Sequence, residues 1–186
     1  MGNAAIKQAT YEDLLAVPEN RVAEIIHGQL HAHPRPAPRH ARAYSSLGDE
    51  LVSPFDKGRN GPGGWWILDE PELHLGPHVL VPDIAGWRRE HMPTLPETAW
   101  FELAPDWLCE ILSPSTARID RVEKMPIYAA QGVRHLWLVD PDLRTLEAFE
   151  NQDDRWLMIA ALQNDDPVCI APFDAITFDL SVLWAD

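Results

Sequence analysis

The stretch from Trp107 to Thr116, WLCEILSPST, constrains the folding of this chain more than any other. Trp107, Leu108 and Cys109 precede a carboxylate, Glu110, and Ile111 and Leu112 follow it. Such a run folds as a buried strand, and a buried charge with no partner costs several kcal/mol. The fold must therefore bring Glu110 a cation, a metal ion or hydrogen-bond donors. Alternate residues of a strand share a face, so Glu110 projects with Leu108 and Leu112 while Cys109 and Ile111 project the other way. Its partner has to come from a neighbouring element.

The 186 residues are 46% hydrophobic and include 8 Trp, which is enough apolar surface for the core of one domain spanning 1–186. No apolar stretch approaches the roughly 18 residues of a membrane span, and Met1 to Thr10 lacks the charged-then-apolar layout of a secretion signal. The expectation is a cytoplasmic protein with no membrane partner. Cys109 and Cys169 give no disulfide framework and read as free thiols, Cys109 as a small buried hydrophobe. The formal net charge of −14 argues against broad attraction to phosphate backbones, so any nucleic-acid contact is local. Positive charge gathers at Arg35, Arg39 and Arg42 with His31, His33 and His40, at the Arg88–Arg89 pair, and at Arg118, Arg121 and Lys124.

Periodicity and turn chemistry give the order of elements. Thr10 and Asp13 form an approximate capping box that opens a short helix, which Pro18 ends. VAEIIHGQLHA reads as a hairpin turning at His27-Gly28. HPRPAPRH is too rich in proline for a ladder or helix interior and reads as an extended connector delivering His40. From Ala41 to Asp56, Tyr44, Leu47, Leu51, Val52 and Phe55 recur at helical steps and mark a core-facing helix. Three strands follow, WWILDEPELHL, HVLVPDIAGW and DWLCEIL. A helix over Val122–Gln131 then ends at Gly132, and Pro126 is tolerated only close to its start. RHLWLVD reads as a central strand, and TLEAFEN with RWLMIAAL as a terminal hairpin. The fold class is α/β (α+β) with one mixed sheet.

In the preceding strand, Asp83 interrupts the apolar run VLVPDIAGW directly after Pro82. Two carboxylates in an apolar setting repel each other unless a cation lies between them, and oxygen ligands of this kind suit Mg²⁺ with waters completing the octahedron. A second reading is a buried ion pair of Glu110 with Arg118, Arg121 or Lys124 and no metal.

The PD dipeptide followed by an acidic residue in the next strand resembles the PD-(D/E)XK nuclease superfamily. More narrowly, EIIHGQL, the proline-rich connector ending in His40, VPDIA, PDWLCEILSPST and DRVEKMPIYAAQGVRHLWLVDP resemble the Uma-two family (domain of unknown function eight-twenty) over nearly the whole chain. The resemblance implies a restriction-endonuclease-like core, a central mixed sheet flanked by helices, with hairpins at both ends. It implies Mg²⁺ or Mn²⁺ held by Asp83, Glu110 and the Ile111 carbonyl, and DNA as the substrate. The superfamily's lysine, two residues after the acid, is replaced here by Leu112; the family resemblance places it on the following helix, at Lys124. Glu24 matches an acidic position of the family, as a further ligand or a support to one, and His40 is a candidate for phosphate binding or proton transfer.

Other features carry blander readings. His31 and His33 have no Cys partner and read as surface residues, not zinc ligands. Ser113 and Ser115 lack a nucleophile elbow and read as strand terminators. Two rivals to a nuclease stand: an inactive nuclease fold that binds nucleic acid or protein, to which Leu112 points, and a plain interaction module dimerising through the Trp-rich terminal hairpin.

Overall fold

A computed structural model describes residues 8–184. The opening residues read above for a leader, up to residue 7, lie outside it. Helix α1 (Tyr11–Leu15) is held by the expected box: Thr10 Oγ1 accepts from the Asp13 N–H, and Asp13 accepts from the Thr10 N–H. Strands β1 (Arg21–Ile26) and β2 (Gln29–Pro34) form the first hairpin, and both turn residues, His27 and Gly28, have positive φ. The connector is shorter than the prolines suggested. Only residues 35–37 separate β2 from α2 (Pro38–Leu51), because Pro38 fits the first helical turn, where its missing N–H has no intrahelical partner. His40 therefore sits in that first turn. A π turn over Val52–Asp56 continues α2.

The next two expected strands divide into four. WWILDEPELHL becomes β3 (Trp65–Asp69) and β4 (Leu73–Leu75), split at Glu70, whose φ is positive. HVLVPDIAGW becomes β5 (His78–Leu80) and β6 (Ile84–Arg88), split around Pro82, which cannot donate to a ladder. The four halves join two sheets, so the expected mixed sheet is present and a smaller antiparallel one accompanies it. A small antiparallel sheet runs β2-β1-β5-β4. The large sheet runs β10-β9-β8-β7-β6-β3, where β7 is Trp107–Ile111, β8 His135–Asp140, β9 Thr145–Gln152 and β10 Arg155–Gln163. It is mixed, since β7 and β8 are parallel and the other neighbours antiparallel. Short strands β11 (Pro167–Val168) and β12 (Phe178–Asp179) pair near the end.

The crossover from β7 to β8 is helical from Ala117 to Ala130: α3 (Ala117–Ile119), a π turn over Asp120–Lys124, and α4 (Met125–Ala130). Pro126 is accommodated because regular α geometry restarts at Met125. Gly132 follows in the left-handed region, at φ 83°.

Two apolar clusters cover the faces of the large sheet. Trp107, Cys109 and Ile111 pack with Leu47, Leu51, Trp137 and Phe173 on one. Leu108 and Leu112 pack with Tyr128, Ile127 and Leu138 on the other. The alternation read from the sequence thus holds, and Glu110 shares the face turned to α4 and the small sheet. Gly86 lies between two of the tryptophans; a Cβ there would come within 3.2 Å of Trp65 and 3.3 Å of Trp107. Strand β10 forms one edge of the large sheet and exposes Leu157, Met158 and Ile159, whereas its single tryptophan, Trp156, turns inward and donates to the Met125 carbonyl. Cys109 is a buried free thiol and Cys169 an exposed one. Among the described residues no helix is long and apolar enough to cross a membrane.

Candidate active site

The ladder between β6 and β7 pairs Ile84 with Cys109. Continuing that antiparallel register by one step sets Asp83 opposite Glu110, and the structure uses the adjacency: Asp83 Oδ2 accepts from the Ile111 N–H at 2.7 Å. The carboxylate stands in for a ladder acceptor here, while the Asp83 carbonyl still accepts from the Glu70 N–H on its other side.

Glu110 is 3% exposed and finds the cation its position demands. Lys124 Nζ lies 2.8 Å from Glu110 Oε1, 2.9 Å from Glu24 Oε1 and 3.5 Å from Asp120 Oδ1. Lys124 is 2% exposed, so it is no surface helix residue. The other cations considered as partners turn elsewhere, Arg118 to Glu123 and Arg121 to Glu147. Glu24, on β1, is also buried; its Oε1 accepts from the Val81 N–H at 2.8 Å, which ties the hairpin to the segment leading into Asp83. His40 Nε2 stands 3.3 Å from Asp83 Oδ1. Of the residues named from sequence, His40, Asp83, Glu110, Ile111 and Lys124 line one cavity of about 270 Å³, and Glu24 stands behind it, joined to it through the Lys124 ammonium.

The electrostatics follow from three carboxylates, those of Glu24, Glu110 and Asp120, sharing the Lys124 ammonium, with Asp83 close by and paired with His40. Burial pushes the Glu110 carboxyl well above the usual carboxylate range; Lys124 opposes the shift, while Asp120, Asp83 and Glu24 add to it. Burial alone would lower Lys124, but the Glu110 and Glu24 carboxylates outweigh it and hold the ammonium well above its ordinary value. Burial raises Asp120 too, against the pull of Lys124 and a hydrogen bond from Thr116. For His40, burial lowers and the Asp83 carboxylate raises, with the net shift upward.

Two functional candidates escaped the sequence reading. Asp120 is buried beside Lys124 and lines the cavity. Tyr128 is fully buried, and its hydroxyl donates to Glu110 Oε1 at 2.6 Å. The available signal was spacing: Asp120, Lys124 and Tyr128 stand at i, i+4 and i+8, one helical stripe in DRVEKMPIY.

Among the described residues no group of three or more His, Cys, Asp or Glu side chains is disposed to hold a metal ion by itself. Mg²⁺ does not require one, because it binds through one or two carboxylates and keeps several waters. Asp83, Glu110 and the Ile111 backbone offer only hard oxygen donors on one cavity wall, and the excess of buried carboxylate favours a further cation there. The residues therefore fit such an ion.

Comparison with known proteins agrees with this architecture. The family model Uma2, described as "Putative restriction endonuclease", matches residues 9–181. A crystal structure of a "putative nuclease belonging to DUF820" from Anabaena variabilis superposes with a TM-score of 0.74 at 23% identity, covering 94% of this chain and 97% of that one. No curated protein matches the sequence.

Proposed function

Because the chain belongs to the Uma2 family of restriction-endonuclease-like proteins, we propose that it is a divalent-metal-dependent hydrolase of phosphodiester bonds acting on DNA in the cytoplasm. The observation that carries the reading is the meeting of Asp83, Glu110 and the Lys124 ammonium at one cavity, with Lys124 2.8 Å from Glu110. Asp83, Glu110 and the Ile111 carbonyl would hold Mg²⁺ or Mn²⁺. Such an ion, when bound, lowers the pKa of a coordinated water and takes up charge on a phosphoryl oxygen.

The chain's own residues supply the rest. Lys124 puts a fixed positive charge where a phosphoryl transition state gains negative charge, and its burial strengthens that effect because the local dielectric is low. Its position on the crossover helix replaces the strand lysine, so Leu112 is free to serve the core. Glu24 holds the ammonium from the small sheet. His40 steadies Asp83 and can hold or pass a proton at Nε2.

Calorimetry with Mn²⁺ tests the reading. The wild-type chain binds the ion and cleaves DNA in its presence; Glu110→Ala loses both, and chelation stops cleavage. Absence of Mn²⁺ binding by the wild-type chain would overturn the proposal and leave the family fold acting as a binding module.

A further inference from the structure

The stripe Asp120, Lys124, Tyr128 is buried along its whole length, with exposures of 4%, 2% and 0%. Three polar residues on one buried helical face are costly unless each is satisfied, and here each is satisfied by the site. Asp120 lies 3.5 Å from the Lys124 ammonium, Lys124 lies 2.8 Å from Glu110 Oε1, and the Tyr128 hydroxyl lies 2.6 Å from the same oxygen. Both partners of the Glu110 side chain therefore converge on Oε1. Both of these contacts are to Oε1 and not to Oε2, and Glu110 lines the cavity. The backbone of the stripe is unusual as well. Asp120 to Lys124 form a π turn, a rare geometry that re-aims side chains and clusters at functional sites.

We propose that Asp120 and Tyr128 are positioning residues of this site, Asp120 fixing the Lys124 ammonium and Tyr128 fixing Glu110 through Oε1 so that Oε2 is presented to the cavity. The inference rests on the metal-dependent reading above but assigns roles which that reading does not contain. Neither side chain touches the reacting atoms; each acts through a neighbour. A purely structural role would instead make them interchangeable with any side chain that fills the same space.

Tyr128→Phe and Asp120→Asn separate the two ideas, because both preserve volume. Tyr128→Phe is expected to weaken Mn²⁺ binding about 10- to 100-fold, as loss of a partner to a metal ligand does, with the melting temperature little changed. Asp120→Asn is expected to leave Mn²⁺ affinity within about twofold while kcat on DNA falls by about tenfold or more at constant KM, since an electrostatic group is displaced. Wild-type Mn²⁺ affinity in Tyr128→Phe, or wild-type kcat in Asp120→Asn, would overturn the corresponding assignment. If the wild-type chain binds Mn²⁺ but cuts no DNA, the nuclease reading fails while the calorimetric arm still decides Tyr128. If it does neither, ¹⁵N NMR of the buried Lys124 ammonium decides both: each substitution should shift that resonance, and an unmoved resonance would overturn the proposal.

Discussion

Strand β7 carries a buried carboxylate at each end, and the two behave differently. Asp106, just before Trp107, is 6% exposed; Glu110, near the far end, is 3% exposed. Asp106 uses both oxygens for structure. Oδ2 accepts from the Arg88 N–H at 2.8 Å, and Oδ1 pairs with His91 Nδ1 at 2.7 Å, with Arg134 Nε at 3.9 Å. Its backbone bonds Gly86 and His135, so this one residue locks β6, β7 and β8 together. Glu110 instead spends both side-chain partners on one oxygen and shares its ammonium with Glu24 and Asp120. Equal burial therefore does not distinguish a lock from a site. What distinguishes them is the balance of charge: one carboxylate among several donors in the first case, three carboxylates around one ammonium beside a cavity in the second.

The largest effect expected from this contrast comes from Lys124→Met. Removing one partner of a buried ion pair leaves the other uncompensated and costs about 3–5 kcal/mol, which for a chain of this size lowers the melting temperature by on the order of 10 °C. DNA cleavage is lost as well. The destabilisation should be greater at pH 8 than at pH 5. Without its ammonium, Glu110 binds a proton more tightly folded than unfolded, so its stabilising contribution is present in acid and disappears as pH rises through its raised folded value. Melting curves at the two pH values check this. A variant as stable as wild type at both would break the comparison, because Lys124 would then not be compensating the carboxylates.

The sequence was most legible where local chemistry decides. The capping box at Thr10, the turn at His27-Gly28, the apolar periodicity of α2 and the Glu110 anomaly each rest on a few neighbouring residues, and each is found. Asp83 and Glu110 stand out as carboxylates in apolar runs, and the family resemblance adds Lys124, His40 and Glu24; the first four line one cavity and Glu24 reaches it through Lys124. What was illegible depends on contacts between distant segments. The division of HVLVPDIAGW between two sheets comes from β5 pairing with β1 and β6 with β7, which no local pattern encodes. Asp120 and Tyr128 were not singled out, because their meaning lies in Lys124 and Glu110 arriving beside them. Lys124 itself carries no sequence mark of burial.

Asp106→Asn sharpens the comparison from the other end of β7. The amide keeps an acceptor for Arg88 but presents an N–H₂ where an oxygen now stands, so a buried hydrogen bond with His91 or Arg88 is lost at a cost of about 1–3 kcal/mol. Mn²⁺ affinity and DNA cleavage should be those of the wild type. Loss of metal binding without loss of stability would mean that the two ends of the strand are coupled, and the distinction between lock and site would fail.

The smallest effect concerns acid sensitivity away from β7. His78, on β5, is buried, and its Nδ1 accepts from the His27 N–H at 3.2 Å. An accepting nitrogen must be unprotonated, and burial, with His27 adding to it, lowers the His78 pKa from its ordinary value. The unfolded chain therefore binds a proton at this residue more readily than the folded one. The stability contributed by neutral His78 is fully present above its unfolded value, about 6.5, and is lost as pH falls through the lowered folded value. This trend runs opposite to the one expected for Glu110 in Lys124→Met. His78→Gln keeps an oxygen that can accept from His27 but cannot titrate, so its melting temperature should fall less on acidification than that of the wild type. In the His78→Gln background, Lys124→Met should then show its pH dependence undiluted; an unchanged acid slope in His78→Gln would locate the acid-sensitive group elsewhere, with His135, whose pKa burial also lowers, as the next residue to substitute.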